Sequence, residues 1–190
     1  MRRHLVFAIL SCALFACSSP PDKLGTVLEF EKYKNEGDLE SALELFAAEP
    51  SLHFGSLGTI TGLTNVRHIF EYDLALNTCL RFQDCTEDGL EVSCRVVETN
   101  DWLRTVNIDS VTYDENRFTF TTDGRIETIN AELSAESGQA LGSVMAEFHE
   151  WAMTHKPLEY GDLFSDEGRF VYSQNNAENV LALLRIWRSE

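Results

Sequence analysis

Glu98-Thr99-Asn100-Asp101-Trp102, followed closely by Arg104, gathers carboxylates, an amide, an indole and a guanidinium at the end of a β-rich run. Such a set can rim a ligand site, with Trp102 supplying apolar area, Asn100 and Arg104 hydrogen bonds, and Asp101 or Glu98 a charge or a proton acceptor. The same residues also suit a plain loop in which Asn-Asp chemistry makes the turn and the Trp anchors it. His53, next to Phe54, is a further group able to handle a proton near neutral pH and to assist such a base; a structural histidine is the alternative. Tyr113 and Asp73 read as packing or solvated groups. No glycine-rich phosphate loop, nucleophile elbow, CxxC or His-x-His spacing occurs, so any chemistry is expected to need neither cofactor nor metal.

The elements that must position these residues belong to a chain of 190 residues, 44% hydrophobic, with a formal charge of −16. That length and apolar content predict one folded domain and exclude wholesale disorder. The acidic balance, with no basic cluster, excludes nucleic acid and anionic lipid headgroups as partners.

The first residues read as an address. Arg2 and Arg3 precede an apolar run from Leu5 to Ala16, which at about 12 residues is shorter than the roughly 20 a membrane-crossing helix needs. Leu14-Phe15-Ala16-Cys17 resembles the cleavage site of bacterial lipoproteins, although Phe15 is bulky for its place; an ordinary signal peptide with an incidental Cys17 is the alternative. The resemblance implies a signal peptide over residues 1–16, a diacylglycerol on the Cys17 thiol, and a lipidated tether over 17–23. Loss of Arg2 and Arg3 makes the chain still more acidic, so the lipid must hold it to the membrane. Ser18 resembles the sorting residue of outer-membrane lipoproteins, which in a Gram-negative host means the cell envelope, on the periplasmic face of the outer membrane.

Three cysteines then remain in a disulfide-permissive compartment, Cys79, Cys85 and Cys94. Cys79 and Cys94 face each other if a four-residue turn, Cys85 to Asp88, joins their strands. Three buried thiols are the alternative.

Leu24, Val27, Phe30 and Tyr33 recur at helical spacing, Gly37 breaks the run, and Leu39 to Phe46 resume it until Glu49-Pro50. A short strand at 52–54 follows, then a third helix capped by Asn65 with Val66, Ile69 and Phe70 on its apolar face. From Thr78 the pattern is β: strands over 79–83, 90–98, 106–113, 117–122 and 126–133, separated by turn signals at 87–89, 114–116 and 123–124. The order predicts an α+β arrangement, a meandering antiparallel sheet with helices on one face. Two apolar helical stripes close the chain. A shift of 118 residues superposes Glu29-Phe30 on Glu147-Phe148 and Phe54 on Tyr172, a weak internal repeat of helix, helix, strand, helix, or the ordinary likeness of amphipathic helices.

Gly37-Asp38-Leu39, Leu45-Phe46-Ala47, Gly62 with Val66 and Ile69-Phe70, and Asp123-Gly124-Arg125-Ile126 together resemble the NTF2-like superfamily, which includes ketosteroid isomerases and SnoaL-type cyclases. The resemblance covers residues 24–133. It implies a cystatin-like cone, a curved antiparallel sheet covered by N-terminal helices, with 134–190 as a C-terminal helical extension on the same core. Aligned through these motifs, the oxyanion tyrosine of the isomerases falls on Phe30, their base on Phe54, and their second acid near Asn116. Neither phenylalanine handles protons, so the resemblance implies loss of steroid-isomerase chemistry and places both rings among the ligand-binding residues. Glu132 lies within a residue of the acid that cyclases use, and one residue flips a strand side chain to the other face. Two functions follow: a membrane-tethered, non-catalytic module that binds a small apolar ligand or a partner, or a cofactor-free lyase, isomerase or cyclase whose base is Asp101, Glu98 or Glu132. Relatives often dimerise through the open sheet face, which the extension can occupy, so a monomer or weak homodimer is expected.

Overall fold

The structure, a computed structural model, describes residues 22–55 and 58–190. Residues 1–16 and Cys17, on which the signal peptide and lipid site fall, lie outside the described residues. Two short helices come first. Asp22 caps α1 (Lys23–Glu36) by accepting from the Gly25 amide, and Gly37, at φ 73°, ends it in the left-handed conformation that glycine adopts without strain. Asp38 caps α2 (Leu39–Glu44) in the same way through the Ser41 amide.

The chain then runs β1 (Phe46–His53), β2 (Thr59–Thr61), α3 (Leu63–Ala75), β3 (Cys79–Asp88), β4 (Glu91–Thr99), α4 (Asp101–Thr105), β5 (Val111–Phe120) and β6 (Ile126–Leu133). These strands form one six-stranded sheet in the order β2-β1-β6-β5-β4-β3. The architecture is α+β, as expected, but the sheet is mixed: β1 runs parallel to β6, and every other pair is antiparallel. Register shifts interrupt all three pairings from β3 to β6, and such bulges bend strands and sharpen their twist. The sheet therefore curls around α1 and α3, whose Val27, Phe30, Val66 and Phe70 pack with Phe46, Val96 and Phe118 in the main core.

Three local readings are corrected by this arrangement. Phe46 to Pro50 is strand and not helix; Pro50 is buried where the β1–β6 register slips, a position that spares the ladder its missing N–H. Asp114-Glu115-Asn116 is no turn but the bulged middle of the long β5, which begins only at Val111 because 101–105 is helical. Gly62, at φ 84°, is the cap residue of α3, while Asn65 donates its amide to the Thr61 carbonyl.

The disulfide reading is corrected as well. Cys85 bonds Cys94, with Cα atoms 4.1 Å apart, and Cys79 is a free, exposed thiol paired in register with Thr99. The reason is the turn: β3 continues to Asp88 and only Gly89-Leu90 connects it to β4, so Cys79 sits too far from the hairpin end to meet Cys94. A bulge at Asp84, with φ 51°, turns Cys85 toward the interior.

The remaining residues form α5 (Ala135–His155), α6 (Pro157–Gly161) and α7 (Gln174–Ser189). Phe148, Tyr160, Leu163, Val180 and Leu184 make a second core, and α7 lies along α3 and α4. The order of helices in the suspected repeat recurs, but its strand does not: an isolated bridge between Phe164 and Phe170 stands there instead. Among the described residues no helix is long and apolar enough to cross a membrane.

Candidate functional site

The concave face of the sheet and the helices that cover it leave a cavity of about 190 Å³. Phe30 and Lys34, one turn apart on α1, share a wall with Phe70 and Asp73 of α3. The Lys34 ammonium bonds Asp73 Oδ2 at 2.8 Å and lies 4.0 Å from the centre of the Phe70 ring. Its side chain is 4% exposed, so the ion pair and the ring face are what make burial of this cation tolerable.

The opposite wall is the sheet. Alternation along β4 turns Val92, Cys94, Val96 and Glu98 inward, and Glu98 is the last residue of that row before Asn100 starts α4. Its carboxyl is fully engaged at one lone pair per oxygen: the Tyr113 hydroxyl donates to Oε2 and the Asn100 amide to Oε1, both at 2.8 Å. Asn100 has a double duty, because its Oδ1 also accepts from the Leu103 amide and so caps α4. Burial pushes the Glu98 carboxyl up to about 6, and the negative charge of Asp73 adds to this; the bonds from Tyr113 and Asn100 and the charge of Lys34 oppose it without cancelling it. The Tyr113 hydroxyl is raised well above its ordinary value, first by burial and then by Glu98.

Phe54, just past β1, and Phe30 both line this cavity. Asn116 also lines it, on the inner face of β5 beyond the bulge, and its buried Oδ1 has no hydrogen-bond partner. Tyr172 reaches it from the C-terminal extension, between α6 and α7. Burial, then the charge of Asp73, raises the Tyr172 hydroxyl.

Of the other residues singled out from the sequence, Asn100 reaches the cavity only through Glu98, and five lie elsewhere. Asp101 bonds Asn77 at 2.6 Å and Arg104 across one turn of α4, and these two contacts hold its carboxyl below its ordinary value. Trp102 packs into the second core and Arg104 is half exposed, so this part of the cluster is a helix start that docks the extension. His53 points to the outer face of β1, where its ring bonds Thr59 and Ser51. Glu132 is exposed on β6, with its neighbour Ala131 facing inward.

Sequence reasoning overlooked Lys34, named Tyr172 only as the repeat partner of Phe54, and set Asp73 and Tyr113 aside. The available signal was spacing: Lys34 follows Phe30 by one turn, and Asp73 follows Phe70 by nearly one, so each charged residue shares a helix face with a core aromatic. A second, larger groove of about 580 Å³ opens outside between α2 and β1. It is open, and its two arginines are engaged from within, Arg67 with Glu40 and Arg125 with Asp123 and the carbonyls of Glu44 and Phe46. Chemistry is better placed in the smaller, aromatic-walled cavity. Among the described residues no cluster of three His, Cys, Asp or Glu side chains could hold a metal.

No protein-family model matches the chain, and no curated protein matches its sequence. Solved structures do share its shape. SalBIII, an epoxide hydrolase/cyclase-like enzyme in pyran ring formation of the polyether salinomycin, superposes with a TM-score of 0.54 at 18% identity, over 60% of this chain and 92% of its own. An NTF2-like protein of unknown function from Cytophaga hutchinsonii gives 0.52 at 13% identity, over 65% and 96%. A Mycobacterium tuberculosis protein in complex with estradiol-17beta-hemisuccinate gives 0.51 at 13% identity, over 63% and 98%. Each of the three accounts for under two thirds of this chain. A curled sheet around two helices, with a cavity between them and neighbours of this kind, gives the chain the NTF2-like cone fold.

Proposed function

We propose that the chain binds a small, mainly apolar molecule in the cone cavity, with Glu98 as the polar group that orients it. The observation that carries this reading is the combination of an unfilled, aromatic-walled space with one convergent carboxyl fixed by Tyr113 and Asn100. A filled cone would instead have suited a purely structural role. Ala131 faces the same space, so Ala131→Phe should occupy it. Small apolar compounds that raise the melting temperature of the wild-type chain should leave Ala131→Phe unmoved. Compounds that stabilise both chains equally, or none that stabilise the wild type, would refute the reading.

A second reading, turnover, is favoured by Glu98 itself. A carboxyl pushed up to about 6 is ionised at pH 7 and yet a better proton acceptor than an exposed one. It is the one candidate base from the sequence that faces the cavity, and it would accept a proton from a hydroxyl or an activated C–H of the bound molecule. Solvent-deuterium exchange into 2-cyclohexenone, followed by NMR, tests this: acceleration by the wild type, lost about a hundredfold in Glu98→Gln, supports turnover. Equal rates with the two chains leave binding as the function.

The module is proposed to work at a membrane, held by lipid on Cys17. Support for this comes from the order of Arg2-Arg3, the apolar run and Leu14-Phe15-Ala16-Cys17. A Cys17→Ala chain should leave the membrane fraction, and unchanged partitioning would end the proposal.

A further inference from the structure

The cavity's uncommitted polar groups are mostly donors, and that balance narrows the class of its ligand. This deepens the binding reading and rests on it. Lys34 carries three N–H groups, and the bond to Asp73 Oδ2 uses one. Among the described residues its ammonium makes no other hydrogen bond; its second neighbour is the Phe70 ring, which attracts the charge but accepts little. With the side chain 4% exposed, the spare N–H groups have little bulk water to bond.

Tyr172 brings a second donor. It enters the cavity from the segment between α6 and α7, and among the described residues its hydroxyl donates to nothing. Asp73 ties the two together, since it bonds Lys34 directly and its charge acts on the Tyr172 hydroxyl. Both donors therefore lie close to one carboxylate. Asn116 Nδ2 is a third uncommitted donor, whereas the Oδ1 of the same amide is shut off from the space.

The position of Tyr172 is fixed before any ligand arrives. Its ring meets Tyr72 and Phe170 edge-on, at 5.4 and 5.2 Å between centroids. The segment that carries it is pinned by Asn176, a buried side chain whose amide donates to the carbonyls of Leu163 and Val171. A hydroxyl held in this way loses little freedom when a ligand accepts from it.

Glu98 acts in the opposite sense. The Tyr113 hydroxyl and the Asn100 amide both donate to it, and an ionised carboxylate presents only lone pairs to the space. It turns a ligand oxygen away from the sheet, toward Lys34 and Tyr172, and so orients the molecule. Charge then decides the kind of acceptor. The ammonium of Lys34 is matched by Asp73, and Glu98 adds a negative charge, so the walls hold no net positive charge for an anion. A cation would bring only donors and leave those of Lys34 and Tyr172 unmet.

We infer that the ligand is an uncharged molecule with a hydrogen-bond-accepting oxygen, that Lys34 and Tyr172 receive this oxygen together, and that the C-terminal extension thereby completes the site of the cone. The test is calorimetric titration of the full chain with acetophenone and α-methylstyrene, a pair in which a methylene replaces the oxygen, and with benzoate and benzylammonium. In the wild type acetophenone should bind at least about tenfold more tightly than α-methylstyrene, the net value of a hydrogen bond from a charged donor, and more tightly than either ion. Tyr172→Phe, which keeps the ring, should cut that preference at least about threefold and leave α-methylstyrene binding unchanged. Lys34→Met with Asp73→Leu, which replaces the buried pair by apolar side chains of similar volume, should bring the preference below about threefold. Equal binding of ketone and alkene in the wild type, tighter binding of either ion, or a preference that either variant leaves intact would each overturn the inference. If none of the probes binds while other compounds still distinguish the wild type from Ala131→Phe, the ligand class falls and the binding reading stands; if nothing distinguishes them, both fall.

Discussion

Glu98→Gln should make the chain more stable at neutral pH relative to the wild type than at acid pH, and by a predictable amount. The carboxyl sits at about 6 in the folded chain against 4.5 for an unperturbed glutamate, because burial and Asp73 outweigh Tyr113, Asn100 and Lys34. A group raised on folding contributes stability that is complete below the unfolded value and is lost as pH rises through the folded one. For Glu98 that window runs from about 4.5 to about 6, and the difference corresponds to about 2 kcal/mol. Glutamine keeps an acceptor for Tyr113 and for Asn100 but cannot ionise, so it is free of this loss. Urea denaturation of the two chains at pH 4 and at pH 7.5 isolates the effect, since every other carboxylate titrates in both. The stability difference, variant minus wild type, should rise by about 2 kcal/mol across that interval, or about 4–8 °C in melting temperature for a chain of this size. Its constant part, which includes any change in the bonds to Tyr113 and Asn100, cancels in the comparison. A difference that stays flat within about 0.5 kcal/mol, or that falls with pH, would mean that the carboxyl is solvated and would remove the basis for assigning it chemistry.

Loss of the Cys85–Cys94 bond, which closes a loop of nine residues' separation, should cost about 2–3 kcal/mol, so Cys94→Ser should melt lower than the wild type by several degrees. Cys79→Ser should melt with the wild type; the reverse result would restore the Cys79–Cys94 pairing. Lys34→Met should cost about 2–3 kcal/mol in urea denaturation because it strands the Asp73 carboxylate, and Lys34→Met with Asp73→Asn should recover most of that; no recovery would show that packing on Phe70, not charge, sets the loss. Light scattering should find one chain per particle, because the outer sheet face carries Arg95, exposed Glu127 and Glu132, and Arg117 paired with Glu91, and α7 covers α3 and α4 instead; a stable dimer broken by Arg95→Glu would contradict this.

Much of the fold was legible because its determinants are local. Apolar residues at helical spacing marked α1 and α3, the Gly37 break was read correctly, and the run of β-rich segments marked the sheet. The errors fall where tertiary context overrides a local signal. Asp114-Glu115-Asn116 has the composition of a turn, but pairing on both sides with β4 and β6 holds it in the sheet as a bulge. Misplacing the turn of the β3–β4 hairpin was enough to misassign the disulfide, because a strand register carries every side chain with it. The site divides in the same way. Phe30 and Phe54 came from the isomerase resemblance, as the positions where its acid and base would stand, and both line the cavity. Glu98 and Asp101 were inseparable in sequence, being three residues apart at an element boundary, and only the placement of α4 sends one inward and the other to the surface. Lys34 with Asp73, and Tyr172 with the cone, are partnerships across 39 and some hundred residues that no local pattern announces.

The two phenylalanines and the unusual carboxyl are one feature seen from two sides. At the positions where the isomerase resemblance expects an acid and a base, Phe30 and Phe54 present rings to the cavity, and Phe70 and Phe82 add two more. Removing polar groups from those walls lowers the polarity of the space that Glu98 faces, and burial in such a space is what drives its carboxyl upward. A polar group at position 30 or 54 would solvate the carboxyl, lower it toward its ordinary value, and give the ligand a competing partner. The cavity's titratable groups are the Lys34–Asp73 pair on the helix wall, Tyr172 from the extension, and Glu98 with Tyr113 on the β4–β5 wall, where the buried Oδ1 of Asn116 lacks a hydrogen-bond partner.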